Sequence, residues 1–468
     1  MKNIAWTSQE LGVALNIDIP QSFVANRVEF NSRDIIPGDI FVALPGGQRD
    51  ANQFIDDALK KGAVLAIANE KARRNPKVVN VKDPFAALKK LAEYKRKNSK
   101  AKFIGITGSV GKTSTKESTV SMLSEFAATF SSKGNFNNHI GVPLTLASLS
   151  NDAVYSVNEM GMNHAGEIRE LTKIVKPHIA IITKIGPAHL EFFDSVADIC
   201  RAKCEIFEGL DKEGVAIINK DCEFYNLQAE ILNNLGIKDI YSFGENEKTD
   251  CRLVEYENYG EYSKLKYQIL GKEYITKSYL LGKHQYVNLS ASLLTSLALG
   301  LDVEKAVYSI ENIKPFHGRG VIHKINLSQN TFATIIDDAY NANPLSMKAA
   351  LEALSEKDGE KIAILAEMKE LGPNAAKLHA ELIESVIKSG VTTLITVGGL
   401  MKNLHNVAKG NIVNNLYFDE VNLDTFEEIF ELIKPTNSTI LVKGSNSTGI
   451  GRILNFFKNK SNFINSFE

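Results

Sequence analysis

Cysteine, charge of one sign and long apolar runs are all scarce in this chain, and each scarcity removes a class of function. The four cysteines, Cys200, Cys204, Cys222 and Cys251, are too few to staple a chain of 468 residues. Cys200 and Cys204 are spaced to share a helix face, but no second pair completes a zinc pattern. They read as reduced thiols. Lys+Arg and Asp+Glu number 54 and 55, so no basic arm or polybasic patch stands out and no nucleic-acid partner is expected. No segment reaches the run of about 18 apolar residues that marks a membrane helix. The stretch from Met1 to Trp6 lacks the apolar core of a secretory signal. These absences predict a cytoplasmic protein without stable membrane insertion. Short repeats and low-complexity tracts are missing as well.

What remains is ordinary globular composition, 44% hydrophobic and 23% charged, in a chain long enough for two to four domains. Residues 1–83 mix short strands and helices. A strand is predicted over Asp39–Leu44, a helix over Gln53–Lys61 that Gly62 stops, and a buried strand over Ala63–Ala68. Asp83-Pro84 marks a boundary, and Phe85–Lys97 reads as an amphipathic helix with a basic far side. Residues 84–316 alternate strand and helix. Phe103–Thr107, Val154–Asn158, Ile179–Ile185 and Val215–Asn219 are continuous apolar runs, the pattern of a parallel sheet covered on both faces. The Tyr-rich stretch 251–282 alternates instead and reads as antiparallel. Across residues 317–468 the alternation restarts, with strands at Ala333–Asp337, Lys361–Leu365, Thr393–Val397 and Thr439–Val442. The expected architecture is α/β in three domains: a small N-terminal one, a central parallel sheet and a C-terminal Rossmann-like sheet.

Thr107-Gly108-Ser109-Val110-Gly111-Lys112-Thr113 follows a predicted strand and opens a predicted helix. That is the setting of a phosphate loop. Gly108 and Gly111 let backbone N–H groups approach phosphate oxygens, and the helix adds its positive end. Lys112 can neutralise β- and γ-phosphates, and the Thr113 hydroxyl can ligate Mg²⁺. The match is to Gly-x-x-Gly-Lys-Thr, because Ile106 stands where the longer motif has its first glycine. A glycine turn ahead of an ordinary helix is the plain alternative.

Other chemistry-bearing residues also fall at predicted strand ends. Glu159 can hold a second Mg²⁺ or simply be solvated, and His189 can be a ligand or a structural histidine. Lys203 lies one turn from Phe207 on a predicted helix, which allows it to face inward; a solvated helix lysine is the alternative. Asp337-Asp338 ends a strand and leads into Tyr340-Asn341-Ala342-Asn343-Pro344, a loop that also suits a helix cap.

Together these stretches resemble the Mur ligase family over nearly the whole chain. The likeness runs through Thr107–Thr113, Gly134–Pro143, Asn158–Gly161, Ala188–Glu191, Ala202–Phe207, Gly282–His284, Gly318-Arg319 and Asp338–Ser346. Within the family, three features resemble the member that adds a D-Ala-D-Ala dipeptide: the Tyr340–Pro344 loop, the paired asparagines Asn137 and Asn138, and Val442-Lys443-Gly444-Ser445. The resemblance implies an ADP-forming peptide ligase acting in peptidoglycan precursor synthesis. Its substrates would be ATP, UDP-N-acetylmuramoyl-tripeptide and D-alanyl-D-alanine, its intermediate an acyl phosphate, and its form a monomer. It implies a catalytic role for Lys112, Lys203 and His189. ATP would meet Gly108, Ser109, Gly111, Lys112, Thr113, Asn288, Arg319 and Asp338. Two Mg²⁺ would be held by Thr113, Glu159, His189 and a carbamylated Lys203. The other substrates would meet Ser32, Arg33, Asn137, Asn138, Tyr340, Asn341 and Asn343. Departures from the family pattern are Asn31, Ala51-Asn52, Gln285, Glu367 and Asn446. A ligase that adds a single amino acid, a folylpolyglutamate synthetase and a nucleotide-dependent switch are the competing readings.

Overall fold

The computed structural model describes residues 4–46, 50–211, 213–326, 331–433 and 437–460, and the backbone of 462–464. Met1 to Asn3, part of the stretch tested for a signal, lie outside the described residues.

One parallel and two mixed, mostly parallel sheets carry the molecule, with a small antiparallel pair, Trp6–Thr7 and Val24–Ala25, at the start. The first sheet orders Arg27–Glu29, Asp39–Val42, Leu65–Asn69 and Val78–Val81, all parallel. The predicted helix after the second of these begins as a 3₁₀ turn, Ala51–Phe54, and becomes α-helical at Ile55–Lys60. Helix Pro84–Asn98 follows, capped by the Asp83 carboxylate on the N–H groups of Phe85 and Ala86. Its Ala87, Leu88 and Leu91 share a core with Trp6 and with Leu144 and Ala147 of the next sheet's layer. The Trp6 indole donates to the Ala147 carbonyl at 2.6 Å. The N-terminal strands are thereby tied to the centre of the chain.

The central sheet has nine strands. From one edge they run Thr129–Ser131, Tyr155–Glu159, Lys102–Thr107, Ile179–Ile182, Val215–Asn219, Asp239–Gly244 and Cys251–Asn258 in parallel, and then Ser263–Ile269 and Lys272–Ser278 antiparallel. The apolar runs are buried on both faces and the Tyr-rich stretch alternates, as their patterns predict. The C-terminal sheet has seven strands. Asn414–Phe418, Thr393–Val397, Glu360–Ala366, Ser438–Lys443 and Phe332–Asp338 are parallel; Val321–Asn326 and Asn462–Ile464 complete it in antiparallel pairing. All four cysteines are buried and free. Among the described residues, no helix is long and apolar enough to cross a membrane.

Candidate active site

Lys102–Thr107 lies at the turning point of the central sheet. Later strands flank it on both sides, Ile179–Ile182 on one and Tyr155–Glu159 on the other. A crevice opens at the carboxyl ends of strands at such a point. Here the chain turns through Gly108–Gly111 into helix Lys112–Ser124. Gly111 takes φ +85, and a Cβ there would stand 2.8 Å from the Asn288 amide. A side chain fits neither that backbone nor that contact. Ser109 is buried. Its N–H donates to the Lys184 carbonyl at 2.7 Å and its hydroxyl to the Gly186 carbonyl at 2.9 Å, which pins the loop to the turn after Ile179–Ile182.

Lys112 folds back so that its ammonium donates to the Gly108 carbonyl at 2.7 Å. Burial lowers its pKa; Glu159 opposes that, Arg319 reinforces it and Glu370 opposes it. Glu159 is 1% exposed and fully engaged: Oε2 accepts from the Thr113 hydroxyl at 2.8 Å, and Oε1 from the Asn137 amide at 2.7 Å. Lys203 lies behind this group, 0% exposed, at the end of helix Val196–Cys204, which tightens to a 3₁₀ turn at Glu205–Gly209. Its Nζ has no hydrogen-bond partner among the described residues. Burial holds its pKa well below the usual lysine value, and nearby Lys112 pushes the same way. Both effects favour the neutral form of the Lys203 amine over the ammonium.

The opposite wall comes from the C-terminal sheet. Asp338 and Lys443 are register partners at two strand ends, and their side chains pair at 2.6 Å. Lys443 also donates to the Asn341 carbonyl at 3.1 Å. The Arg319 guanidinium lies 4.6 Å from the Tyr340 ring centroid. Asn343 caps helix Pro344–Ser355 by accepting from the Ser346 N–H at 2.9 Å. The two walls touch: Leu345 packs on Gly186, and His189 Nδ1 stands 2.5 Å from Glu370 Oε2. That contact is close but not aligned as a hydrogen bond. His189 and Glu370 both adopt left-handed backbone, φ +59 and +62, a costly state that surrounding structure must enforce. Between the walls is a cavity of about 810 Å³.

Of the residues singled out in the sequence, Ser109, Gly111, Lys112, Thr113, Asn137, Glu159, His189, Asn288, Arg319, Asp338, Tyr340, Asn341 and Asn343 line this cavity. Gly108 and Lys203 do not line it. Asn138 does not line it; its side chain caps helix Gly141–Ala147 through the N–H groups of Ile140 and Gly141. Ser32 and Arg33 are absent from the wall too. The Ser32 carbonyl accepts from Lys61 at 2.9 Å, and Arg33 is exposed. Nor do they line a second cavity of about 530 Å³ between Arg27, Ile36, Phe130 and Phe136.

Residues 106–296 match the Mur ligase middle domain, and residues 325–446 match the glutamate ligase domain of Mur ligases. The UDP-N-acetylmuramoyl-tripeptide–D-alanyl-D-alanine ligase of Rickettsia prowazekii is 41% identical over 97% of this chain and all of its own length. The chain belongs to the Mur ligase family. The corresponding ligase of Escherichia coli is 31% identical over 96% of the chain and 98% of that protein. Among solved structures, MurF from Acinetobacter baumannii superposes with a TM-score of 0.83 at 32% identity, covering 97% of this chain and 99% of that one. MurF from Thermotoga maritima in complex with ADP gives 0.79 at 27% identity, covering 93% and 98%.

For a Mur ligase, several cleft residues carry no local signal in the sequence. Glu370 and Lys369 follow a strand without any motif, and Lys184 and Glu245 line the cavity only because the sheet brings them there. Lys443 was visible within Val442–Ser445, but its pairing with Asp338, 105 residues away, was not.

Proposed function

We propose that this Mur ligase joins D-alanyl-D-alanine to UDP-N-acetylmuramoyl-tripeptide, cleaving ATP to ADP and phosphate. The observation that carries the reading is the convergence, in one cleft, of a phosphate loop and buried carboxylate from the central sheet with Arg319, Asp338 and Tyr340 from the C-terminal one. Residues 1–83 hold the UDP-linked substrate, 84–316 hold ATP, and 317–468 bring the dipeptide. The enzyme works as a cytoplasmic monomer on small molecules.

A carboxylate is a poor electrophile, and phosphorylating it supplies a leaving group. Lys112 and the N–H groups at the start of helix Lys112–Ser124 take the triphosphate, so that charge developing on the transferred group is neutralised in place. The tripeptide carboxylate takes the γ-phosphoryl group. The dipeptide amine, as the free base, then attacks the acyl carbon, and phosphate departs with the C–O electron pair. Arg319 and Asp338 reach the nucleotide from the second wall, so ATP helps hold the walls together.

The residues present fit Mg²⁺. Thr113 and Glu159 already share one oxygen-rich spot, and His189 faces the same cavity. Three acidic, histidine or cysteine side chains do not cluster anywhere among the described residues. Lys203, buried and without a hydrogen-bond partner among the described residues, would make up the shortfall: addition of CO₂ to its amine gives a carbamate and releases a proton, which supplies a further carboxylate. Two Mg²⁺ held by Thr113, Glu159, His189 and carbamylated Lys203 would supply charge neutralisation of the phosphates.

The test is phosphate release with product mass. Phosphate and a product heavier by one D-Ala-D-Ala residue pair should appear only when ATP, UDP-N-acetylmuramoyl-tripeptide and the dipeptide are all present. ATP hydrolysis indifferent to both acceptors would sink the assignment.

A further inference from the structure

One fully buried cation near the cleft is left without a part in this chemistry. Lys116 lies one turn beyond Lys112 and Thr113 and is 0% exposed. An ammonium has three N–H donors. Two main-chain carbonyls accept from it, Ser132 at 2.9 Å and Gly134 at 2.7 Å, and the Glu117 carboxylate forms an ion pair with it at 2.8 Å. Two of these belong to the main chain of the segment between strand Thr129–Ser131 and helix Gly141–Ala147, which forms neither helix nor strand. Backbone without a ladder needs its polar groups satisfied from outside.

The same segment runs on into the cleft. Asn135 and Asn137 line the cavity. The Asn137 amide donates to Glu159 Oε1 at 2.7 Å, and the Asn137 carbonyl accepts from the Gly161 N–H at 2.8 Å. Thr113 holds the other Glu159 oxygen. Thr113 and Lys116 are three apart, on one face of one helix. A closed circuit results: the phosphate-loop helix grips the segment at Ser132 and Gly134, the segment grips Glu159 through Asn137, and Glu159 returns to the helix through Thr113.

We propose that Lys116 is a positioning residue. It fixes segment 132–137 against the phosphate-loop helix and so holds Asn137, and through it the Glu159 carboxylate, in place. This role rests on the function proposed above. A methionine would fill the same buried volume but could not hold two carbonyls. Its loss should therefore be felt where Glu159 acts, in the Mg²⁺-dependent part of nucleotide binding, and not in the contacts that the glycine loop makes without metal. Residues that orient a metal ligand typically change metal affinity by about 10- to 100-fold when removed.

Full-length wild type, Lys116→Met, Asn137→Ala, the double variant and Lys116→Arg are titrated with ADP, with and without Mg²⁺, and their thermal unfolding is recorded. The expected result is a gain in ADP affinity from Mg²⁺ that falls by about tenfold or more in each single variant. Metal-free ADP affinity should stay within about twofold, and the double variant should be no worse than the worse single one, since both residues act on one circuit. Lys116→Arg, which keeps donors for the carbonyls, should recover part of the loss. Losses that multiply in the double variant, or metal-free affinity that falls in step, would overturn the proposal. Should Lys116→Met fail to fold, Lys116→Gln, which loses the charge and shortens the reach to the carbonyls, is compared with and without Asn137→Ala in the same way. A wild-type protein that makes no product from tripeptide and dipeptide defeats the proposed function, while the ADP titration still decides the role of Lys116.

Discussion

Two buried lysines in different regions are kept in opposite ways. Where the first strands meet helix Pro84–Asn98, Lys95 is 5% exposed, donates to the Ala5 carbonyl and to Asn151 Oδ1, the latter at 2.7 Å, and lies 4.4 Å from the Trp6 ring centroid. Beneath the cleft, Lys203 has no partner at all among the described residues. Burial is the main cause of a lowered pKa in both, to about 8 for Lys95 and well below the ordinary value for Lys203. A buried polar group without a hydrogen bond is costly, so a fold retains one chiefly where something else uses it. Lys95 is complete as it stands and serves packing. Lys203 leaves its Nζ without a hydrogen-bond partner among the described residues, which is what the proposed carbamylation would supply. Degree of burial does not separate these two lysines; the presence or absence of hydrogen-bond acceptors does.

The strongest way to break that contrast is at the phosphate loop. Lys112→Ala removes the cation proposed to meet the triphosphate, and phosphate release should fall by about 10³-fold or more. A variant that keeps its turnover would place the nucleotide elsewhere. Lys203→Ala should come next. Loss of most activity is expected, with partial return when a short carboxylate such as formate or acetate is added to take the place of the carbamate. Loss without return would make Lys203 a plain lysine, and the contrast with Lys95 would then concern packing alone.

The phosphate loop was legible because it is local: strand, glycines, lysine and helix follow one another within a few residues. The alternating sheets were legible for the same reason, since burial on both faces writes itself as an apolar run. What the sequence hid is set by long-range closure. His189 and Glu370 come from different sheets, and neither left-handed backbone is signalled by a glycine. Lys116 sits in Lys112-Thr113-Ser114-Thr115-Lys116-Glu117-Ser118, which looks like a solvated polar helix. Instead its hydroxyls are buried, Thr119 meeting Ser292 at 2.9 Å across the helix pair. Asn138 shows the reverse: a polar residue beside a cleft residue that turns out to cap a helix. Ser32 and Arg33 were placed with the substrate by resemblance, which carries no distances, and they stand outside the main cavity.

The smallest effect on catalysis belongs to the packed lysine, and it should be read as stability. Because Lys95 has a folded pKa near 8 against about 10.5 unfolded, the unfolded chain binds more protons between those values. The contribution is therefore present in full above the unfolded value and is lost as pH falls through the folded one. Between pH 8 and pH 10 wild type should gain stability relative to Lys95→Met, by at most about 3 kcal/mol, since each pKa unit is worth about 1.4 kcal/mol. Chemical unfolding of both proteins across that window, with kcat measured at neutral pH, provides the check. Parallel stability curves would show that the ammonium is not desolvated as the fold implies. A hundredfold fall in kcat for Lys95→Met would erase the distinction between the two lysines from the other side, because a lysine that only packs Trp6 against its helix has no route to the phosphates.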